Sequence, residues 1–232
     1  MERKEELRAV LQSVAAEIVG LGLQPRRPRG GRDCQLSDDM ASLREPQLSP
    51  VLVIVPGADA QPGLWSTPDL CRREGIDSGS CMPFVRRARS LGWGVLLLQN
   101  RDSDISAAWT DILENSTRPV FFVAHSQGGC ALVSFLEQKL EDVLSGRILA
   151  VAFCDSVHRA MSAKLAAALR GRCINWVISA KAVGERWPKR GISNYAGCEL
   201  LSAGTSKHAL TPSAAMESII EFLRQFSESE LS

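Results

Sequence analysis

The sequence is short of histidine, of long apolar runs and of net charge, and each shortage excludes something. Its 27 Lys+Arg nearly balance 26 Asp+Glu, leaving a formal net charge of +1. That balance gives no electrostatic support to direct nucleic-acid contact or to a membrane surface. The longest apolar runs, such as "VLVIV" and "VLLL", fall far short of the roughly 20 residues that cross a bilayer, so no membrane span is expected. The first residues, "MERKEELRAVLQSVAAEIVG", interleave charge with apolar side chains, unlike the unbroken apolar stretch of a secretory signal. An intracellular location follows. The seven cysteines (Cys34, Cys71, Cys81, Cys130, Cys154, Cys173 and Cys198) are odd in number and never spaced C-x-x-C, which reads as reduced and mostly buried thiols. Only three histidines exist, His125, His158 and His208, and none has ligand spacing from a cysteine pair. No metal site and no cofactor is expected. Internal repeats and low-complexity tracts are absent too.

What is present is an ordinary globular composition, 45% hydrophobic and 23% charged over 232 residues, enough for a main domain with a real core. Leu7, Val10, Leu11, Val14, Ile18 and Leu21 recur at helical spacing and predict an amphipathic helix over 3–21. "QPRRPRGGR" follows and reads as a solvated linker, with nuclear import or RNA contact as the alternative use of its arginines. Residues 1–50 are therefore a helix plus linker, and residues 51–232 the main domain.

From residue 51 short apolar runs alternate with helical patterns. Strands are expected at 51–55, 92–98, 118–124, 147–154 and 173–179, and more weakly at 198–203. Helices are expected near "MPFVRRARSL", "ISAAWTDILEN", "GGCALVSFLEQKLEDVL", "HRAMSAKLAAALRG" and "TPSAAMESIIEFLRQF", the last with Thr211 as N-cap and Pro212 at the first helical position. Strands apolar throughout and separated by helices describe a doubly wound, mostly parallel α/β sheet with helices on both faces.

"AHSQGG" (124–129) stands where such a sheet turns from strand to helix. A nucleophile elbow needs small residues two before and two after its serine, because strand and helix backbones approach closely there. Ala124 and Gly128 meet that need around Ser126, alanine replacing the usual first glycine. The Gln127 amide at the helix start is one oxyanion donor, and the loop "VPGADAQPG" offers a second from Gly57 or Ala58.

A serine needs a histidine to take its proton and a carboxylate to orient that histidine. His125 is expected to point to the other side of the turn and His158 to be structural. His208, after the last strand, fits the order serine, acid, histidine. For the acid, Asp155 at a strand end is favoured over Glu185, whose surroundings look solvent-facing. The five tryptophans, Trp65, Trp93, Trp109, Trp176 and Trp187, are read as packing residues. Residues 57–81 and 180–197 are the loops long enough to cover the site.

The blocks "PGLWSTPDLCRREGIDSGSCMPFVRRARSLGWGVLLLQNRD", "FFVAHSQGG", "VAFCDSVH", "CINWVIS" and "LLSAGTSKHALT" together resemble the Argonaute-binding-protein-two domain family, whose animal members are called cotranscriptional regulators. The similarity runs from about residue 51 to residue 226. It implies an α/β-hydrolase-like fold in proteins linked to Argonaute, small-RNA-guided heterochromatin silencing and alternative splicing, with chromatin or splicing proteins as partners and a place in nucleus and cytoplasm. The position matching that family's proposed nucleophile is Ser126. Where relatives carry His-Gly after the first strand this chain has Pro56-Gly57, and near the family's acidic position after "NWV" it has Gly184 followed by Glu185.

Two functions are thus expected to be separable by experiment. One is a regulator that binds partners through a hydrolase-like domain. The other is an active intracellular serine hydrolase acting on a small ester, thioester or amide.

Overall fold

Val51, Val53 and Val55 face one apolar layer while Leu52 and Ile54 face another, because successive side chains of a strand point to opposite sides. Both sides of this strand are covered, which is why it is apolar at every position. It is β3 (Val51–Val55) of an eight-stranded sheet in a computed structural model that describes residues 2–41, 49–58, 60–99, 102–114, 116–187 and 197–228. The other strands are β1 (Leu23–Arg26), β2 (Cys34–Ser37), β4 (Gly94–Leu97), β5 (Val120–His125), β6 (Ile148–Cys154), β7 (Cys173–Val177) and β8 (Glu199–Ser202). Their order is β1-β2-β4-β3-β5-β6-β7-β8. Strands β3 to β8 run parallel, while β2 is antiparallel to both β1 and β4.

The helices are α1 (Glu2–Gly20), α2 (Asp38–Ala41), α3 (Pro68–Glu74), α4 (Ile76–Gly79), α5 (Met82–Ser90), α6 (Asp102–Ala108), α7 (Gly128–Gln138), α8 (Leu140–Leu144), α9 (Ala163–Ala168) and α10 (Thr211–Glu228). One apolar layer takes Trp109, Leu132, Phe135 and Leu165 against the sheet, and the other takes Trp65, Phe84, Ile219 and Leu223. The expected strands are all found, within a few residues at their ends. Eight mostly parallel strands with helices on both faces make this an α/β-hydrolase-like fold.

Three expectations need correction. The segment read as a linker contributes β1, paired antiparallel with β2 from Leu23↔Ser37 to Arg26↔Cys34. Pro25 cannot donate to a ladder, but β1 is the sheet's outermost strand, where proline is tolerated. Val14, Ile18 and Leu23 join the same core layer as Leu52 and Ile54, so the N-terminal residues extend the main sheet. Second, the helix expected at 158–171 is only Ala163–Ala168. Ser156 and His158 are buried and bonded to each other, and the Ser162 hydroxyl starts the helix by accepting from the Leu165 amide at 3.1 Å. Third, Thr211 is not an N-cap. It is already helical, after a 3₁₀ turn over His208–Leu210, and its hydroxyl donates back to the His208 carbonyl at 2.9 Å.

Candidate active site

Strand β5 ends at His125, and the next residue turns the chain abruptly. Ser126 has φ 53°, in the left-handed region that costs a non-glycine residue energy. Its amide still donates to the Cys154 carbonyl at 3.1 Å, so the strand carries the serine to the carboxyl edge of the sheet. Helix α7 then starts at Gly128. A Cβ there would lie 2.3 Å from the Pro56 carbonyl oxygen and 2.6 Å from that of Val55; at Gly129 it would lie 1.8 Å from Ser156 Oγ. These contacts explain the two glycines after Gln127: the helix passes too close to the β3 end and to the residues after β6 for any side chain.

The other half of the site comes from the ends of β6 and β8. Asp155 follows β6 with φ 44° and is fixed by its amide, which donates to the Trp176 carbonyl at 2.7 Å. One carboxylate oxygen accepts from the Ile178 amide at 3.3 Å, the other from His208 Nδ1 at 2.6 Å. His208 Nε2 then faces Ser126 Oγ at 2.9 Å. With Nδ1 protonated against the carboxylate, Nε2 presents a lone pair that accepts the serine hydroxyl. The Asp155 side chain is 17% exposed and that of His208 44%, so the carboxylate is sheltered while the imidazole edge meets solvent.

Several contacts hold His208 in place. Lys207 is ion-paired with Glu74 of α3 at 3.0 Å, and the Thr211 hydroxyl grips the His208 carbonyl. His125, expected to turn away, instead reaches the same residue: its Nε2 lies 3.3 Å from the His208 carbonyl and its Nδ1 3.4 Å from that of Trp65. The two imidazoles are 4.9 Å apart. Burial above all, helped by the neighbouring His208, pushes the His125 pKa down to about 4. No sequence signal points to this packing, because its partners lie 60 and 83 positions away in the chain.

The remaining expected residues divide. Glu185 is exposed and pairs with Lys181 at 3.5 Å, while Asp155 holds the place beside His208. The Gly57 amide, one of the two expected from that loop, donates to the Trp65 carbonyl at 3.0 Å. The Gln127 amide sits at the head of α7, where amides have no intrahelical acceptor. His158 is buried, stacked on Phe153 at 4.3 Å. Of the loops expected to cover the site, 57–81 contains α3 and α4, and 188–196 lie outside the described residues. Among the described residues no group of His, Cys, Asp or Glu is arranged to hold a metal. Nor is any helix there long and apolar enough to cross a membrane.

A sharp serine turn after β5, with an aspartate after β6 and a histidine after β8 in hydrogen-bonded series, is an arrangement of the α/β-hydrolase kind. In sequence the chain is similar to the cotranscriptional regulator ARB2A of Mus musculus, 26% identical over 270 residues covering 85% of this chain and 63% of that protein. It is 34% identical to the Homo sapiens protein of that name over 125 residues, 52% of this chain and 29% of the relative. A Dictyostelium discoideum homologue is 28% identical over 132 residues, 54% and 33% of the two chains. The chain thus spans less than two thirds of the length of these relatives. No family model matches it. Among solved structures, the haloalkane dehalogenase DatA of Agrobacterium tumefaciens C58 aligns over 60% of this chain and 42% of its own, with TM-score 0.33 and 13% identity; the fold is assigned from the strand order itself.

Proposed function

We propose that this chain is a cotranscriptional regulator whose α/β-hydrolase-like domain carries a working acyl-transfer site. The observation that carries the chemistry is the unbroken series Asp155 Oδ2, His208 Nδ1, His208 Nε2, Ser126 Oγ, at 2.6 and 2.9 Å. Ser126 Oγ attacks the carbonyl carbon of an ester, thioester or amide and passes its proton to His208 Nε2. Asp155 keeps the ring in the required tautomer and stabilises the imidazolium. The amides of Gln127 and Ala58 receive the developing oxyanion, helped by the positive end of α7. His208 then returns the proton to the leaving group, and water, activated by the same imidazole, releases the acid. The test is turnover of a model ester by the purified chain. Ser126→Ala and His208→Ala, each checked for folding by circular dichroism, are expected to lose about 10⁴-fold or more in kcat. Full activity in either variant contradicts the assignment.

The regulatory part rests on similarity to the ARB2A proteins over 85% of the chain. On this reading the domain associates with Argonaute and with chromatin or splicing proteins, in heterochromatin silencing or alternative splicing, in nucleus and cytoplasm. Co-purification of Argonaute with both the wild type and a folded Ser126→Ala variant is the expected result for a binding role independent of catalysis. Loss of Argonaute from the variant ties binding to the serine, and absence from both removes this partner.

A further inference from the structure

A second group of reactive side chains comes from the start of β7, the start of β8 and the segment after β6. Cys173 opens β7, and Cys198 stands just before β8. The pairing Ile174↔Glu199 begins one residue later on both strands, so the two cysteines are cross-strand neighbours. Both side chains enter the same core layer, as equal register on parallel strands requires. Adjacent strands lie about 4.8 Å apart, within the Cα separation a disulfide spans. Both thiols are free.

His158 completes the group. Its Nε2 lies 3.9 Å from Cys198 Sγ and its Nδ1 2.6 Å from Ser156 Oγ. With Nδ1 donating to the serine hydroxyl, Nε2 is the acceptor for the Cys198 proton. The adjacent Cys173 thiol, and with it the His158 imidazole, hold the Cys198 thiol below its ordinary pKa, against burial, whereas burial raises Cys173. Cys173 and Cys198 are among the residues lining a cavity of about 470 Å³, together with Arg170, Arg186 and Glu199. A small oxidant therefore has room beside them, and Cys173 is placed to act second.

We propose that Cys198 is a hydroperoxide-sensitive thiol resolved by Cys173, forming a reversible cross-strand disulfide between β7 and the start of β8. The Cys198 thiolate attacks one peroxide oxygen; the S–O bond forms, the O–O bond breaks, and the departing oxygen takes up the proton left on His158. Cys173 sulfur then attacks Cys198 sulfur, forming the S–S bond and releasing hydroxide, which leaves as water with the Cys173 proton. The dithiol loses two electrons and the peroxide gains them.

The experiment treats the full chain with hydrogen peroxide, blocks remaining thiols with N-ethylmaleimide and maps tryptic peptides by mass spectrometry. The expected product links peptide 173–181 to peptide 191–207 with loss of two hydrogens. Dithiothreitol restores both thiols. In Cys173→Ser, Cys198 is expected to accumulate as a sulfenic acid captured by dimedone, at least ~10-fold faster than buried Cys34 reacts. In Cys198→Ser, Cys173 should remain unoxidised. Oxidation that starts at exposed Cys130, or a wild-type map without the 173–198 link, overturns the proposal. The wild-type map decides even where a variant fails to fold, and its outcome is independent of the Ser126 site.

Discussion

His208 Nδ1 lies 2.6 Å from Asp155 Oδ2, although 53 residues separate them in the chain. The left-handed turn at Asp155 after β6 and the 3₁₀ turn at His208 after β8 bring them together at one edge of the sheet. In Asp155→Asn the amide NH₂ can face Nδ1 and favour the opposite tautomer, so Nε2 no longer accepts the Ser126 proton. Ester turnover is expected to fall about 10⁴-fold with the fold intact, measured as kcat beside a circular dichroism spectrum. Unchanged kcat would remove Asp155 from the series.

The close approach at the elbow has its own test. Gly128→Ala places a methyl 2.3 Å from the Pro56 carbonyl oxygen, and is expected to cost about 1–3 kcal/mol as an overpacked site. Gly20→Ala is the matched control, since nothing lies within 4 Å of its added Cβ. Thermal melts of the two variants should differ in midpoint, with Gly128→Ala the lower.

His125 predicts a pH dependence of stability. Its folded pKa is depressed from 6.5 to about 4, so the unfolded chain binds this proton more readily than the folded one. The stability associated with the neutral ring is fully present above pH 6.5 and is lost as pH falls toward 4. The shift corresponds to on the order of 3 kcal/mol. Urea unfolding between pH 7 and pH 4 should show this loss in the wild type and a flatter profile in His125→Gln. An NMR titration placing the His125 midpoint near 6.5 contradicts the assignment.

At the other end of the sheet, Arg118 is buried and bonded to the Ser49 carbonyl and hydroxyl, the Pro50 carbonyl and Asp39. Burial alone would raise the Asp39 carboxyl, but hydrogen bonds from Arg118 and Ser37 and the Arg118 and Arg89 charges outweigh it and hold it below its ordinary value. That contribution is present above the unfolded carboxyl's pKa and disappears as pH drops through the folded one. Arg118→Met, which strands these acceptors, is expected to destabilise by about 3–5 kcal/mol at neutral pH, read from denaturant midpoints.

How much was legible follows from how local each signal is. Strand β3 is "VLVIV" with turns on either side, and both faces are buried, so composition alone reveals it. Strand β1, "LQPR", carries three exposed residues, one of them a proline, and only its pairing with β2 makes it a strand. In the site, the small residues Ala124 and Gly128 point to Ser126, the order serine, acid, histidine points to His208, and the strand end at Asp155 stands out from exposed Glu185. The capture of the Gly57 amide by the Trp65 carbonyl depends on how 57–65 folds back on itself, which no motif records. The same holds for His125, whose ring packs on residues 60 and 83 positions away, and for Cys173 beside Cys198, which reads as two scattered cysteines until β7 and β8 are paired.

The central claim is that Ser126 is an activated nucleophile. The most direct measurement is labelling of the purified chain with a fluorophosphonate, comparing wild type with folded Ser126→Ala and His208→Ala. Covalent labelling of the wild type at Ser126 is expected, with its loss in both variants. Labelling that persists in Ser126→Ala, or a folded wild type that takes up no probe, contradicts it.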